Sequence, residues 1–160
     1  MNLDSCDVDI LRLLQIDGRI SYSKIREKTG IPISTTSDRI KSMIERGVIK
    51  NFTVMLDEEK IGFSYKAIVG VQTGAKKYRD VANQLSGLDQ TIEVYGTTAE
   101  FDLMMVVQTY SREELGKLLG RIRNLDGVDD IYIFQVLETF KYEILPPLRI
   151  LDSNILETLV

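Results

Sequence analysis

Hydroxyl, cationic and acidic side chains crowd into residues 31–49, IPISTTSDRIKSMIERGVI, and most of them are suited to contact with phosphate groups. Short hydroxyls at a helix N-terminus can reach phosphate oxygens together with the free backbone N–H groups there. They are also small enough to let a helix enter a major groove about 12 Å wide. On a helical wheel, the polar face comprises Ser34, Thr35, Asp38, Arg39, Lys41, Ser42, Glu45 and Arg46. The segment is therefore a candidate for contact with nucleic acid.

The charged residues of this face leave alternatives open. Arg39 and Lys41 can contact phosphates or guanine edges, whereas Asp38 is unfavourable beside phosphates. Asp38 can accept a hydrogen bond from cytosine N4, or it can hold Arg39 or Ser42 in position. A solvated helix face that binds nothing is the alternative for the whole set. The elements on either side of the segment argue against that alternative.

Three short helices position this face. The apolar spacing of VDILRLLQIDG predicts a first helix that stops near Gly18, and Ser21 caps a second helix that ends at Gly30. The third helix spans 33–46, with Pro32 where a proline is tolerated. The alternating segment 48–56 predicts a strand or hairpin. This order is typical of a winged helix-turn-helix. The predicted DNA-binding residues are Ser21, Tyr22, Ser34, Thr35, Asp38, Arg39, Lys41, Ser42 and Arg46.

The uneven distribution of charge along the chain supports the same interpretation. The net charge is −4, yet residues 18–51 hold eight basic residues against Glu27, Asp38 and Glu45. A basic segment can bind phosphates locally, because screening cuts off distant charges beyond about 10 Å.

Absent residue types argue against many enzymes. The chain has no histidine, which is the commonest general base near neutral pH and a leading zinc ligand. Its single cysteine, Cys6, excludes an internal disulfide and indicates a reducing cytoplasm. No apolar run is long enough to span a membrane. We therefore expect a cytoplasmic protein with no catalytic residues, no metal site and no cofactor.

The second half of the chain repeats a strand–helix–strand pattern. The two copies are KAIVGVQTGAKKYRDVANQLSGLDQTIEVY and FDLMMVVQTYSREELGKLLGRIRNLDGVDDIYIFQVL. Two such units predict a ferredoxin-like βαββαβ domain, so the fold class is α+β. A sheet covered by helices on one face leaves the other face in need of a partner, which predicts an oligomer. Tyr132, Phe134, Phe140 and Tyr142 are predicted to share one strand face, in the core or an interface.

Four regions follow from these patterns. Residues 1–50 form the predicted DNA-binding domain, 51–63 a hinge strand and linker, 64–145 a sensing and oligomerisation domain, and 146–160 an extension. Apolar residues of the extension recur at helical spacing. It is expected to be a small helix that either covers the domain or joins dimers.

Four stretches resemble the Lrp/AsnC (feast/famine) transcriptional regulators: LDSCDVDILRLLQIDGR, GIPISTTSDRIKSMIERGVIKNFTVMLDEEKIG, EVYGTTAEFDLMMVV and LDGVDDIYIFQVLE. The resemblance covers the chain from Leu3 to about Tyr142. It implies an N-terminal domain that binds double-stranded DNA, a hinge strand and a C-terminal domain that dimerises and senses small molecules. It also implies a homodimer that assembles further, with an octamer as the expected size, and an amino acid bound between dimers.

The loop between the two βαβ units is the candidate effector site. The candidate residues are Gly96, Thr97, Thr98, Ala99, Glu100 and Asp102. An amino acid needs an acid or carbonyl for its ammonium group and N–H or hydroxyl donors for its carboxylate, and the loop offers both. The alternative is a polar β-turn in which Asp102 stabilises its own backbone.

Three residues depart from the family pattern. Pro32 stands where the family usually has a serine cap, Asp38 where basic or neutral residues are usual, and Ala99 where a glycine is typical. Glycine at position 99 would allow a positive φ and close approach of a ligand.

Other functions compete with a specific regulator. An architectural protein that packs DNA with little sequence preference is one alternative. An enzyme resembling sirohaem decarboxylases is another, and the lack of histidine argues against it.

Overall fold

A computed structural model describes residues 3–142 and Leu148. The described residues fall into two compact units, 3–55 with Leu148 and 56–142. The expected helix in the extension 146–160 lies outside the described residues, apart from Leu148. Within the described part of the chain, no helix is long and apolar enough to cross a membrane.

Unit one consists of three helices around one apolar cluster. The helices are α1 (Ser5–Ile16), α2 (Tyr22–Thr29) and α3 (Ile33–Glu45). Ser21 caps α2 by accepting a hydrogen bond from Lys24 N at 3.3 Å, as the sequence predicts. Gly30 ends α2 with a φ of 76°, which a residue with a side chain rarely adopts. The cluster is built from Ile10, Leu11, Ile25, Ile31, Ile40 and Met43.

The segment 48–56 does not form the strand or hairpin that its alternation predicts. No residue from 48 to 56 is assigned to a strand, and every side chain from 50 to 56 is exposed. The backbone N–H groups of Val48 and Ile49 bond to Met43 O, which extends the turn after α3. A strand needs a partner for its ladder hydrogen bonds, and among the described residues no strand pairs with this segment.

Unit two is a four-stranded antiparallel sheet with two helices. Strands β1 and β3 are central, in the order β2-β3-β1-β4, which confirms the ferredoxin-like fold. The elements are β1 (Tyr65–Thr73), α4 (Tyr78–Ser86), β2 (Thr91–Gly96), β3 (Leu103–Thr109), α5 (Arg112–Arg123) and β4 (Val128–Gln135).

Alternate residues of the strands face the two helices and form the main core. Ala67, Val69 and Val71 of β1 are fully buried, with Met105 and Val107 of β3 beside them. The helices contribute Val81, Leu85, Leu115, Leu118 and Ile122 to the same cluster. Since side chains alternate along a strand, the residues between these point to the opposite face.

The opposite face of the sheet is apolar and open. We call it the open face; its residues include Ile68, Met104, Val106, Tyr132 and Phe134, together with the Phe101 ring. Phe101 crosses Gly70, where an added Cβ would lie 2.7–2.9 Å from the ring. The prediction that four aromatic residues share one strand face is half right: Tyr132 and Phe134 lie on β4, whereas Phe140 and Tyr142 follow its end at Gln135. The chain leaves the ladder there, so alternation no longer applies.

Candidate nucleic-acid interface and ligand loop

The solvent-exposed side of α3 carries most of the predicted DNA-binding residues. Ser34, Asp38 and Lys41 are exposed, and Thr35 and Ser42 are partly exposed. Thr36, Ile40 and Met43 occupy the opposite side and are buried. The amphipathic spacing of α3 therefore presents this polar side as one surface.

The N-terminus of α3 has free hydrogen-bond donors. Pro32 is the N-cap residue and makes no side-chain cap bond, and the first helical bond runs from Thr36 N to Pro32 O at 2.8 Å. In the described part of the chain, the backbone N–H groups of Ile33, Ser34 and Thr35 have no acceptor. Free N–H groups at the positive end of a helix dipole can bind an anion such as a phosphate.

Asp38 and Arg39 are adjacent in sequence but have different surroundings. The Asp38 side chain makes no hydrogen bond or ion pair within the described residues. Arg39 bonds instead to Asp4, the N-cap residue of α1, at 2.7 Å and to Asp7 within α1 at 2.8 Å. This pairing raises the pKa of Arg39. The pKa of Asp4 is lowered, first by the hydrogen bond from the backbone N–H of Asp7 and second by the hydrogen bond from Arg39.

The remaining predicted contacts lie at helix ends. The Ser21 hydroxyl is engaged in the N-cap of α2, and Tyr22 follows it with 39% of its surface exposed. Arg46, the C-cap residue of α3, has its Nη2 3.9 Å from Asp7 Oδ2. Asp4 and Asp7 were not among the predicted site residues. The signal that could have found them is their spacing, since two acids three residues apart at a helix start form a capping box.

The loop 97–102 between β2 and β3 is closed by its own hydrogen bonds. Thr97 N donates to Asp102 O at 3.0 Å, and the Thr97 hydroxyl donates to Phe101 O. The Asp102 carboxylate accepts from Thr73 N at 2.8 Å, and Gln72 Nε2 donates to Glu100 O at 3.2 Å. The loop therefore has the internal bonding of a polar turn, with Asp102 stabilising the backbone of β1.

Exposed groups of this loop remain available to a ligand. Thr98, Ala99 and Glu100 are exposed, and Ala99 has a negative φ like every non-glycine residue described. The backbone conformation at position 99 thus does not require glycine. Gly96 has a local role, because an added Cβ there would collide with the Tyr78 hydroxyl.

A groove of about 560 Å³ lies near the other end of β1. At its polar centre, Lys66 Nζ lies 3.0 Å from Glu58 Oε2, and Gln108 donates to the same carboxylate. The Tyr142 ring covers Lys66, with 4.6 Å from Nζ to the ring centroid. Because Lys66, Glu58 and Gln108 already bond to one another, we assign no ligand to this groove.

Replacing Asp102 with alanine is expected to destabilise unit two by about 2 kcal/mol, because it leaves the N–H of the buried Thr73 without an acceptor. Asp102→Asn keeps an oxygen that can accept from Thr73 N, so it should lower the free energy of unfolding by less. The free energy of unfolding in urea measures both changes, and Glu100→Ala serves as the control because its side chain is exposed. A wild-type stability for Asp102→Ala would contradict the structural role.

Comparisons with known proteins agree with both units. Residues 3–50 match a winged helix-turn-helix DNA-binding model, and residues 66–145 match the Lrp/AsnC ligand binding domain. The HTH-type transcriptional regulator FL11 of Pyrococcus horikoshii is 37% identical over 87% of this chain and 92% of its own length.

Solved structures share the fold. Escherichia coli AsnC superimposes with a TM-score of 0.86 at 23% identity, covering 92% of this chain and 100% of that one. A feast or famine regulatory protein of M. tuberculosis, solved in complex with L-methionine, has a TM-score of 0.83 at 24% identity. The match covers 90% of this chain and 98% of that one. With two family models matched in order along one chain and a relative above 30% identity, the protein belongs to the Lrp/AsnC family of transcriptional regulators.

Proposed function

We propose that this regulator binds specific DNA sites with α3 and changes its affinity for them when a small, amino-acid-like ligand alters the geometry of its oligomer. The observation that carries the DNA-binding part is the polar side of α3. That side combines three free backbone N–H groups with exposed Ser34, Asp38 and Lys41. Hydroxyl, N–H and ammonium groups contact phosphates, whereas Asp38 is suited to a base edge such as cytosine N4.

Oligomerisation is supported by two exposed apolar regions. On the open face, Ile68, Tyr132 and Phe134 are 36%, 39% and 50% exposed. In the segment after α3, Val54 and Leu56 are 72% and 59% exposed. Contiguous apolar surface of this kind is typical of interfaces, so we propose a homodimer that assembles further through additional contacts.

The ligand-dependent part of the proposal rests on the loop 97–102 and on the similarity to a ligand-bound protein of the same fold. The loop presents an exposed carboxylate at Glu100 and an exposed hydroxyl at Thr98, which are suited to an ammonium group and a carboxylate. The M. tuberculosis protein of the same fold was solved with L-methionine. A ligand can shift operator affinity only by its differential binding to two assemblies, typically about 1–3 kcal/mol.

A regulator is favoured over an enzyme because the chain lacks histidine and its relatives are named transcriptional regulators. Selection of binding sites from random DNA separates a specific regulator from an architectural protein. A recovered palindromic motif favours the regulator, and the absence of any motif favours DNA packing.

Lys41→Ala is expected to weaken binding to the selected duplex. It should also lower the slope of log affinity against log salt by about 0.9 for each copy that contacts a phosphate. Mobility-shift titration at several salt concentrations measures both quantities. Lys76→Ala, which removes an exposed lysine from unit two, is the matched control and should leave both unchanged. An unaltered slope in Lys41→Ala would rule out this phosphate contact.

The same titration tests the ligand. Repeated with each of the twenty amino acids, and with the oligomer mass determined in parallel, it should show a change of about 5- to 150-fold in affinity for at least one of them. If no amino acid changes affinity or mass, the ligand-dependent part of the proposal fails while the DNA-binding part stands.

A further inference from the structure

Arg39 connects α3 to the first turn of α1 through two carboxylates. Its Nη1 donates to Asp4 Oδ2 at 2.7 Å and to Asp7 Oδ1 at 2.8 Å. Only 9% of the Asp7 side chain is exposed. A carboxylate withdrawn from water needs a compensating charge, and Arg39 provides it.

The capping box of α1 holds both carboxylates in place. Asp7 N donates to Asp4 Oδ1 at 2.8 Å, and Asp4 N donates to Asp7 Oδ2 at 3.4 Å. Each carboxylate thus uses one oxygen for the backbone of α1 and the other for Arg39. The guanidinium is therefore positioned against acceptors that the backbone itself fixes.

Arg46 lies at ion-pair distance from one of these acids, Asp7. Its Nη2 lies 3.9 Å from Asp7 Oδ2. Positions 39 and 46 are two helical turns apart, so both arginines lie on one side of α3 and are separated by about 10 Å along its axis. Because both reach toward Asp7, the acids restrain α3 against sliding and against rotation.

The other contacts of α3 specify its orientation less strictly. Pro32 provides no side-chain cap, and the buried residues Ile40 and Met43 hold the helix by apolar packing. Apolar packing is non-directional, whereas a charged hydrogen bond specifies a distance and an angle. A helix that reads base edges must be held to within about 0.5 Å and 10–20° of its productive position.

We propose that Arg39 is a positioning residue, which orients α3 for DNA binding through Asp4 and Asp7 and does not itself contact DNA. The inference rests on the proposed function, in which α3 enters the major groove. It removes Arg39 from the predicted DNA contacts and leaves the polar side around Asp38 and Lys41 to meet DNA.

Asp4→Asn is the decisive variant, because the two possible roles of Arg39 give effects of opposite sign. Asparagine still caps a helix, so α1 keeps its start while one of the two charge partners of Arg39 is removed. If Arg39 positions α3, affinity for the selected duplex should fall by about three- to tenfold, in the range of coupling between contacting groups. If Arg39 contacts phosphate, the freed arginine and the lost negative charge should strengthen binding.

Asp9→Asn is the matched control, because it removes the same charge from the same helix without touching Arg39. The acid Asp9 pairs instead with Arg12 at 3.5 Å. All variants are titrated as the full chain with the duplex selected by the wild-type protein. Binding by Asp4→Asn that is weaker than that by Asp9→Asn supports the inference, and equal or tighter binding overturns it.

Arg39→Ala provides an independent measurement through salt dependence. The positioning role predicts that Arg39→Ala binds DNA more weakly with an unchanged salt slope. It also predicts that Arg39→Ala lowers the affinity less in a protein whose Asp4 and Asp7 are already replaced by asparagine. A phosphate contact predicts a slope lower by about 0.9 per copy and the same loss in both backgrounds, which would overturn the inference. If Arg39→Ala does not fold, the Asp4→Asn comparison decides alone. If wild-type protein binds no duplex, the proposed function fails instead.

Discussion

Phe134→Glu is expected to convert the proposed oligomer of this regulator to monomers. Phe134 lies directly opposite Ile68 in the β1–β4 register, and its ring is 6.2 Å from that of Phe101. It lies on the edge strand β4, among the apolar residues of the open face, and is half exposed in the single chain. Association through this face would bury the new carboxylate among apolar side chains, at a cost of several kcal/mol. Each 1.4 kcal/mol is a tenfold change, so affinity between copies should fall by at least about a hundredfold.

Sedimentation velocity over a range of protein concentrations measures this loss of mass. Ala75→Glu adds the same charge at an exposed position between β1 and α4 and should leave the mass unchanged. Because Phe134 is half exposed, the monomeric variant should keep its fold, which far-UV circular dichroism checks. An oligomer of wild-type mass in Phe134→Glu would show that copies associate through another surface.

DNA binding should weaken in the same variant. A dimeric regulator contacts two half-sites, and linking two binding modules raises their joint affinity well beyond that of either module. A monomer loses this gain even though its α3 is intact. A Phe134→Glu monomer that binds the selected duplex as tightly as wild type would separate DNA binding from oligomerisation.

Gly127→Ala is expected to lower the stability of unit two by about 3 kcal/mol. Gly127 has a φ of 96°, a conformation that costs a residue with a side chain about 1–3 kcal/mol. An added Cβ would also lie 2.9 Å from Lys77 Cγ and 3.1 Å from Val81 Cγ2. Val81 is fully buried in the core, so it cannot move aside freely. Strain and overpacking therefore act together at this position.

The midpoint of thermal unfolding of unit two, measured at a fixed protein concentration, should fall by about 12–24 °C in Gly127→Ala. Gly120→Ala is the matched control, because Gly120 lies within α5 and no atom approaches its added Cβ within 4 Å. That change should stabilise the helix by up to about 1 kcal/mol. A midpoint within about 2 °C of wild type for Gly127→Ala would contradict the strain assigned to this turn.

The sequence by itself determined the helices, the strands and their two repeated units. Helix periodicity in α3 and the cap at Ser21 depend on residues within a few positions of one another. Strand alternation in β1 and β3 is equally local, and the repeat of strand, helix and strand implied the ferredoxin-like sheet. Local patterns suffice here because backbone hydrogen bonding and the burial of one face repeat with a short period.

The segment 48–56 shows where a local pattern is insufficient. Its alternation is that of a strand, but a strand forms only where another edge can accept its hydrogen bonds. Among the described residues no strand pairs with this segment, and the side chains from 50 to 56 are exposed. Whether this segment forms a strand therefore depends on surfaces that its own residues do not specify.

Only the tertiary structure decided the partners of the site residues. Arg39 looked like a phosphate contact in a basic helix, yet its partners Asp4 and Asp7 are 35 and 32 positions earlier. The Asp102 carboxylate likewise bonds to Thr73, 29 positions away. A charged side chain on a polar helix face can meet solvent, DNA or another helix, and local sequence does not distinguish these partners. Their choice depends on how the apolar cores bring distant segments together, because ion pairs and hydrogen bonds act only over a few ångströms.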